Sequence, residues 1–298
     1  MRVGFVGLGK MGSGMAARLF EAGVDLKVFN RSSAPTESFR RKGAEVAHNL
    51  EDLADREVVF TMLSDDAAVR AMVLGRPGLL EILAEGAVHV GCSTISVAFS
   101  AELSRLHVER RQEYLAIPVF GRPEAASAGK LALVVGGKAS LLEGLRSLLE
   151  PIGHPIFYIG ERPEQANLVK LSGNFLIATV IESLGEVVAL IEKGGIDSHA
   201  YLELLTTTLF SAPVYKTYGR LIVDRAIRSA GFRAALGQKD LRLVMEAAET
   251  LNVPMPFAGP LRDRFLALAA QGEEDIDWAA VGVEALRAAG LDRSRSSG

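Results

Sequence analysis

The sequence predicts an α/β fold: a doubly wound parallel sheet in the N-terminal half, followed by an all-helical domain. The first observation is that short apolar runs alternate with helical patterns through residues 1–162. The second is that the strand pattern stops beyond residue 162, where one long segment with few helix breakers begins. A chain of 298 residues is long enough for two domains of ordinary size.

The strands and helices of the first domain follow from the pattern in chain order. The predicted strands are short runs of apolar and β-branched residues at 2–7, 26–29, 58–62, 88–91, 113–117, 131–136 and 156–158. The predicted helices between them are 12–22, 34–42, 49–55, 66–74, 97–111 and 140–151. Alternation of this kind brings the strands into one parallel sheet with helices on both faces.

A cluster of glycines and prolines over 153–163 marks the predicted domain boundary. The predicted organisation is therefore a first domain at 1–162, a helical substrate and dimerisation domain at 163–291, and a disordered polar tail at 292–298. The helical domain is predicted to contain helices at 164–193, 199–205, 213–224, 236–251, 256–271 and 278–288.

The helix predicted at 164–193 is largely apolar and ends at Gly194 and Gly195, which suit a helix C-terminus. Because a helix of this kind needs partners on several faces, we predict burial within a homodimer or homotetramer. Glu182 and Glu186 interrupt its apolar run, so it is predicted as a buried helix and not as a membrane span.

Composition and charge exclude several classes of function. The formal net charge is −3, without a long basic run, which argues against nucleic acid as a partner. Cys92 is the single cysteine, so no intrachain disulfide can form, and a reducing cytoplasm is the predicted location. The five histidines are scattered without ligand spacing, so no metal site is predicted.

The opening segment carries the strongest functional signal. Gly7, Gly9 and Gly12 form a Gly-x-Gly-x-x-Gly turn between a predicted strand and a predicted helix. The first glycine permits the sharp turn, the second lets a ligand approach the backbone, and the third allows close packing of helix and strand. Free N–H groups at the helix start favour a pyrophosphate, so this segment predicts a Rossmann-type dinucleotide site.

The end of the second predicted strand indicates which dinucleotide is bound. An NAD site usually carries an acidic residue there for the ribose hydroxyls. This chain has Asn30, Arg31, Ser32 and Ser33 instead. Without a carboxylate to repel a 2′-phosphate, and with a guanidinium to bind it, the segment predicts NADPH in preference to NADH.

Lys170 and Asn174 are the candidate catalytic pair. They lie four residues apart near the start of the long predicted helix and therefore share one of its faces. Their neighbours are mostly apolar, and a lysine is costly to bury unless it has a function. A buried ammonium of this kind can act as an acid or base, with Asn174 orienting the lysine or the substrate.

These motifs resemble the β-hydroxyacid dehydrogenases, which include hydroxyisobutyrate dehydrogenases and tartronate, glyoxylate and succinic semialdehyde reductases. The resemblance spans nearly the whole chain: an extended glycine motif, Met62-Leu63, a Gly-Cys-Ser-Thr loop ending at Thr94, the segment from Lys170 to Asn174, and a Gly-Phe…Lys-Asp-Leu segment containing Lys239. It implies a nucleotide-binding domain of the 6-phosphogluconate dehydrogenase type and catalysis by Lys170 with Asn174. From the residues and the resemblance together, the predicted cofactor contacts are Gly7, Leu8, Gly9, Lys10, Met11, Gly12, Asn30, Arg31, Ser32, Met62, Leu63, Thr94 and Lys239.

The match fails in the substrate loop. The family sequence Asp-Ala-Pro-Val-Ser-Gly-Gly is replaced by a stretch in which Phe120 stands for the serine and Arg122 for the second glycine. Either Arg122 takes over carboxylate binding through a bidentate pair, or Phe120 and Arg122 reshape the pocket for a different carbonyl compound. The predicted substrate contacts are Phe120, Gly121, Arg122, Lys170 and Asn174.

The sequence therefore predicts an NADPH-dependent oxidoreductase that reduces a small carbonyl compound, a semialdehyde or a 2-oxo or 3-oxo acid, with Lys170 as proton donor. Two other functions stay open. An imine reductase is similar in fold and cofactor but generally carries Asp or Tyr in place of the lysine. A non-catalytic NADPH-binding interaction module is the other, and relatives of that kind lack the lysine.

Overall fold

The computed structural model describes residues 1–291, and the tail predicted at 292–298 lies outside them. The strands are β1 (Arg2–Val6), β2 (Asp25–Phe29), β3 (Glu45–Val46), β4 (Val58–Thr61), β5 (Val88–Gly91), β6 (Glu113–Ala116), β7 (Val119–Phe120), β8 (Ala132–Gly136) and β9 (Ile156–Gly160). The helices before residue 150 are α1 (Lys10–Glu21), α2 (Ser33–Arg41), α3 (Asp66–Val73), α4 (Leu79–Ile82), α5 (Val97–Glu109), α6 (Pro123–Ser127) and α7 (Ala139–Leu149). The later helices are α8 (Pro163–Lys193), α9 (Ser198–Thr207), α10 (Pro213–Val223), α11 (Ala234–Thr250), α12 (Ala258–Ala270) and α13 (Ala280–Ala288).

One mixed sheet contains all nine of these strands. Six of them run parallel in the order β3-β2-β1-β4-β5-β6, with Val3 opposite Leu26 on one side and opposite Val58 on the other. β8 is antiparallel to both β6 and β7, and β9 runs parallel to β8. The predicted doubly wound sheet is confirmed, and the antiparallel strand pairs at one end of it are an addition that the sequence pattern did not reveal.

The strands alternate their side chains between two apolar clusters. Val58 and Phe60 on β4 belong to one cluster, whereas Val59 between them belongs to the other. Because successive residues of a strand point to opposite faces of a sheet, the two clusters cover its two faces. A sheet covered on both faces explains why every residue of β4 and β5 is buried.

One predicted helix is wrong, and four short elements were missed. Residues 49–55 form only a single 3-10 turn at Glu51–Leu53. The Asn49 side chain accepts the N–H of Asp52, and the Asp52 carboxylate accepts the N–H of His48, so side chains replace the helical bonds of this segment. The missed elements are β3, β7, α4 and α6, each at most five residues long and therefore without a recognisable period.

Residue contacts divide the chain into two compact units, Met1–Lys170 and a second unit from Leu171 onward. The sequence placed the boundary between 162 and 163, where α8 begins, so the first two turns of α8 belong to the first unit. In the second unit a Cβ on Gly185 of α8 would lie 2.2 Å from the carbonyl oxygen of Gly282 of α13. Glycine at both positions therefore lets these two helices approach closely.

Helix α8 is long and apolar enough to cross a membrane by length and composition, with a mean hydropathy of 1.8 over its most apolar window. The core helix of a water-soluble protein has the same properties. Within α8 the Glu182 carboxylate is buried and accepts a bond from Arg264 Nε at 2.7 Å. A buried charge held by a partner on another helix supports the prediction of a packed helix.

A chain of buried hydrogen bonds links β4 and β5 to α5 in the first unit. The Gln112 amide donates to the carbonyl of Leu83 at 2.6 Å, which leaves its oxygen to accept from His107 Nδ1 at 2.8 Å. His107 Nε2 then accepts from His89 Nδ1 at 2.9 Å, and His89 Nε2 accepts from the Thr61 hydroxyl at 2.9 Å. This assignment requires both imidazoles to be neutral.

Acid is expected to destabilise the protein through this pair of histidines. Burial lowers the pKa of His107 to about 4, and that of His89 well below its usual value. As pH falls through the unfolded value of about 6.5 towards 4, the unfolded chain takes up protons that the folded chain does not. The free energy of unfolding should therefore fall by about 3 kcal/mol through His107 alone. Denaturant titrations from pH 7 to pH 4 on the wild type and His107→Gln check this, and parallel pH profiles for the two proteins would contradict it.

Candidate active site

The glycine turn between β1 and α1 has the geometry that its sequence predicts. Gly7 adopts a φ of +98°, which favours glycine, and its N–H donates to the carbonyl of Phe29 at 3.0 Å. A Cβ on Gly7 would lie 2.3 Å from the carbonyl oxygen of Met62 and 2.8 Å from a methyl of Leu63. A Cβ on Gly12 would lie 1.9 Å from the carbonyl oxygen of Gly7. The glycine turn, α1 and the Met62-Leu63 loop therefore pack so closely that a side chain at Gly7 or Gly12 would not fit.

Gly9 differs from the other two glycines of the turn. A Cβ on Gly9 would meet no protein atom within 4 Å, so its glycine is not required by packing in the protein. It is the N-cap of α1, and the first turn of this helix holds no acidic residue. An open space over a helix N-terminus, free of side chain and negative charge, fits the pyrophosphate of a dinucleotide.

A matched pair of alanine variants should separate packing from ligand binding in this turn. Gly12→Ala forces a backbone overlap, so we expect a melting temperature lower by about 5–10 °C for the unliganded protein. Gly9→Ala should leave that temperature unchanged but weaken the cofactor by about tenfold or more, because the methyl enters the ligand's space. Thermal unfolding and cofactor titration check both variants. If Gly9→Ala bound NADPH and NADH as the wild type does, Gly9 would not face the cofactor.

Asn30 has a structural role that the sequence did not reveal. Its side-chain oxygen accepts the N–H of Leu8 at 2.9 Å, and its amide donates to the carbonyl and hydroxyl oxygens of Ser32 at 3.0 Å. The asparagine therefore ties the glycine turn to the start of α2. Next to it Arg31 is exposed in the loop between β2 and α2, where its guanidinium is accessible to a ligand.

The Met62-Leu63 loop is held by Ser93, a residue of the Gly-Cys-Ser-Thr loop for which the sequence predicted no role. The N–H of Leu63 donates to the Ser93 hydroxyl at 2.8 Å, and Ser93 is buried. Thr94, the predicted cofactor contact, follows directly and is half-buried. The carboxyl ends of β4 and β5 are adjacent, since Thr61 pairs with Gly91, and this places the two loops side by side.

Lys170 is buried, as its apolar neighbours predict. Its side chain lies within the first unit with only 8% of its surface exposed, and its Nζ lies 4.2 Å from the centre of the Phe120 ring. Phe120 ends β7 and is half-buried, and Gly121 and Arg122 follow in the loop to α6. The structure thus brings two predicted substrate contacts, Phe120 and Lys170, into direct contact.

Two predicted residues, Asn174 and Lys239, belong to the second unit. Asn174 is buried and lies one helical turn after Lys170 in α8. Its amide donates to one oxygen of the Asp240 carboxylate at 2.6 Å, and Lys239 Nζ lies 3.1 Å from the other oxygen. Asp240 was not among the predicted site residues. Its position beside Lys239 in the Lys-Asp-Leu segment was the signal available for it.

The described part of the chain offers no metal site. Within residues 1–291, no group of three or more His, Cys, Asp or Glu is placed to hold a metal ion. Burial raises the pKa of the Cys92 thiol to about 12, so this side chain stays protonated and is not a nucleophile.

Comparison with known proteins agrees with this geometry. Residues 2–160 match the family described as the NAD binding domain of 6-phosphogluconate dehydrogenase. Residues 165–283 match the family described as NAD-binding of NADP-dependent 3-hydroxyisobutyrate dehydrogenase.

Two similar curated proteins and one solved structure cover nearly the whole chain. The uncharacterized oxidoreductase YfjR of Bacillus subtilis (strain 168) is 37% identical over 94% of this chain and 98% of its own. Glyoxylate/succinic semialdehyde reductase 2, chloroplastic, of Arabidopsis thaliana is 30% identical over 96% of this chain and 80% of its own. The Mycobacterium tuberculosis 3-hydroxyisobutyrate dehydrogenase, solved with L-serine, superposes with a TM-score of 0.85 at 27% identity, covering 96% of this chain and 98% of that one. The chain therefore belongs to the β-hydroxyacid dehydrogenase family of NAD(P)-binding oxidoreductases.

Proposed function

We propose that the protein is an NADPH-dependent reductase that converts a small carbonyl compound, a semialdehyde or a 2-oxo or 3-oxo acid, to the hydroxy acid. The observation that carries the proposal is the burial of the Lys170 amine in the same unit as the glycine turn. A lysine in such a place has little solvation to stabilise its charge and is suited to exchange a proton with a bound ligand.

Lys170 is the proposed proton donor. The reduced nicotinamide, when bound, supplies the hydride for the carbonyl carbon. The ammonium of Lys170 gives a proton to the oxygen on which negative charge develops, and Lys170 is left as a neutral amine until solvent reprotonates it. Positioned proton transfer of this kind contributes about 10²–10⁴ in rate. Burial strengthens the effect, because an ammonium polarises the oxygen more strongly where water is excluded.

The choice of NADPH rests on Arg31. This guanidinium follows β2 with no acidic residue at the position that would bind the ribose hydroxyls of NAD. Arg31 and Ser32 would hold the 2′-phosphate, and the glycine turn with the N-terminus of α1 would hold the pyrophosphate. Residues Leu8, Lys10 and Met11 are proposed to contribute backbone and side-chain contacts from the same turn.

The proposed substrate class follows from the relatives. One is named for glyoxylate and succinic semialdehyde, both of which carry an aldehyde and a carboxylate. Asn174 is proposed to orient the substrate or Lys170, and Asp240 fixes the Asn174 amide within the second unit. Arg122 is the proposed receptor for the carboxylate, since its forked donors match both oxygens, and Lys239 is a proposed cofactor contact.

A substrate panel tests the proposal. Oxidation of NADPH is followed by absorbance with glyoxylate, succinic semialdehyde, tartronate semialdehyde and a cyclic imine. Turnover of one or more of the acids is the expected result. Turnover of the imine alone would replace the proposal with imine reduction. Tight NADPH binding without turnover of any compound would indicate a cofactor-binding module without catalytic function.

We also propose that the protein is a homodimer or homotetramer that covers the apolar face of α8. Leu176 and Leu190, both on α8, are 63% and 71% exposed in the single chain. Such residues are stabilised by a second copy of the chain. Sedimentation equilibrium should give a mass of two or four chains, and Leu190→Asp should shift it towards one. A monomeric wild type at micromolar concentration would contradict this.

The cytoplasmic location stays a prediction.

A further inference from the structure

The contact between Phe120 and Lys170 has the geometry of a cation–π interaction. Lys170 Nζ lies 4.2 Å from the centre of the Phe120 ring, well within the distance at which an ammonium is attracted to the negative face of a ring. Lys170 is buried, so water competes weakly for its charge. Because desolvation strengthens this attraction, the ring holds the amine more firmly than it would at the protein surface.

The ring itself is fixed by the backbone on both sides. Phe120 pairs with Ala132 in the antiparallel ladder between β7 and β8. Gly121 follows with a φ of +142°, and a Cβ there would lie 2.6 Å from a methyl of Leu131. Phe120 also packs against the same buried apolar cluster as Leu63 and as Val169, the residue before Lys170. The ring therefore has little freedom to move away from the amine.

A lysine needs such a support if it is to act as a proton donor. Its four-carbon stem has several rotatable bonds, and about 2 kcal/mol of rotamer entropy opposes a single conformation. A proton donor must stay within hydrogen-bond reach of the reacting oxygen. A fixed aromatic face beside the ammonium reduces this freedom without consuming any of its three N–H donors.

We infer that Phe120 is a positioning residue, whose ring holds the Lys170 ammonium in place for proton transfer. This inference rests on the proposed function, in which Lys170 is the proton donor. It gives a role to the aromatic residue that stands in the substrate loop where the family pattern has a serine.

The test combines a spectroscopic readout with kinetics. The protein is labelled with [ε-¹³C]lysine, and the Lys170 signal is identified by its absence in Lys170→Arg. Protons above an aromatic ring are shielded, so the ε-methylene signal of Lys170 should lie upfield of the other lysines. Phe120→Leu keeps an apolar side chain but removes the ring, and Phe120→Tyr keeps the ring.

The expected result is that the upfield shift disappears in Phe120→Leu and persists in Phe120→Tyr. In the same variants kcat should fall by about 2- to 30-fold with Leu, with KM within twofold, and should be largely restored with Tyr. An unshifted Lys170 signal in the wild type, or an unchanged kcat in Phe120→Leu, would overturn the inference. A wild type without turnover on the substrate panel refutes the proposed function and the catalytic part of the inference. The Lys170 signal then still decides whether the ring holds the amine.

Discussion

Lys170→Met is expected to lower kcat by about 10²–10⁴-fold while the Kd for NADPH stays within about twofold of the wild type. Methionine keeps an unbranched apolar stem next to Phe120, so the packing of the buried side chain is retained. What is lost is the proton for the developing alkoxide and its electrostatic stabilisation. Single-turnover kinetics with the best substrate of the panel, together with NADPH titration, measure both quantities.

A matched control for this variant is Lys130→Met, which removes an exposed lysine of the same unit. It should leave both kcat and the Kd for NADPH unchanged, because the charge of an exposed lysine is solvated and screened by salt. The assignment of Lys170 as proton donor would be wrong if Lys170→Met kept more than about a tenth of the wild-type kcat. Equal losses of turnover and NADPH binding would instead point to a role in cofactor binding.

Arg31→Ala is expected to weaken NADPH by about 10- to 100-fold and to change the affinity for NADH by less than about threefold. A charge-assisted hydrogen bond to a phosphate contributes about 1.5–3 kcal/mol to binding. NADH has no 2′-phosphate and cannot form this bond, so its affinity does not depend on Arg31. Arg31 is exposed and adjacent to the Asn30 side chain that ties down the glycine turn, so its removal should not disturb the turn itself. Equilibrium titration of both cofactors gives the ratio directly.

Arg41→Ala serves as the control for general charge effects. Arg41 is also exposed, and it lies in the last turn of α2. If a diffuse positive field selects NADPH, both variants should lower the NADPH affinity to a similar extent. If Arg31 binds the phosphate, the effect of Arg41→Ala should be less than about threefold and should diminish with added salt. An unchanged ratio of NADPH to NADH affinity in Arg31→Ala would leave Arg31 as an ordinary surface charge.

The parts of the fold that could be predicted from the sequence are those set by local patterns. The glycine turn is an example, because the positive φ of Gly7 and the close approach of Gly12 leave almost no alternative residue at these positions. The burial of Lys170 followed from its apolar neighbours in a long, largely apolar helix. In each case the information lies within a few residues of the position concerned.

What the sequence did not reveal depends on contacts between distant residues. Ser93 reaches the N–H of Leu63 across 30 residues, and Asp240 receives the Asn174 amide across 66. Phe120 could be recognised as a departure from the family pattern, but not as the ring beneath Lys170. The failed helix at 49–55 has a different cause, since short polar side chains there bind the backbone locally and compete with helical bonds.

The central claim, reduction of a carbonyl by hydride from NADPH with Lys170 as proton donor, is tested most directly by isotope transfer. The wild type and Lys170→Met are incubated with NADPH deuterated at the transferring C4 position and with the best acid substrate, and the product is analysed by mass spectrometry. The expected result is one deuterium on the carbinol carbon of the wild-type product, and about a hundredth or less as much labelled product from the variant in the same time. Cofactor oxidation by the wild type without deuterium in the product, or equal labelling by both proteins, would contradict the account.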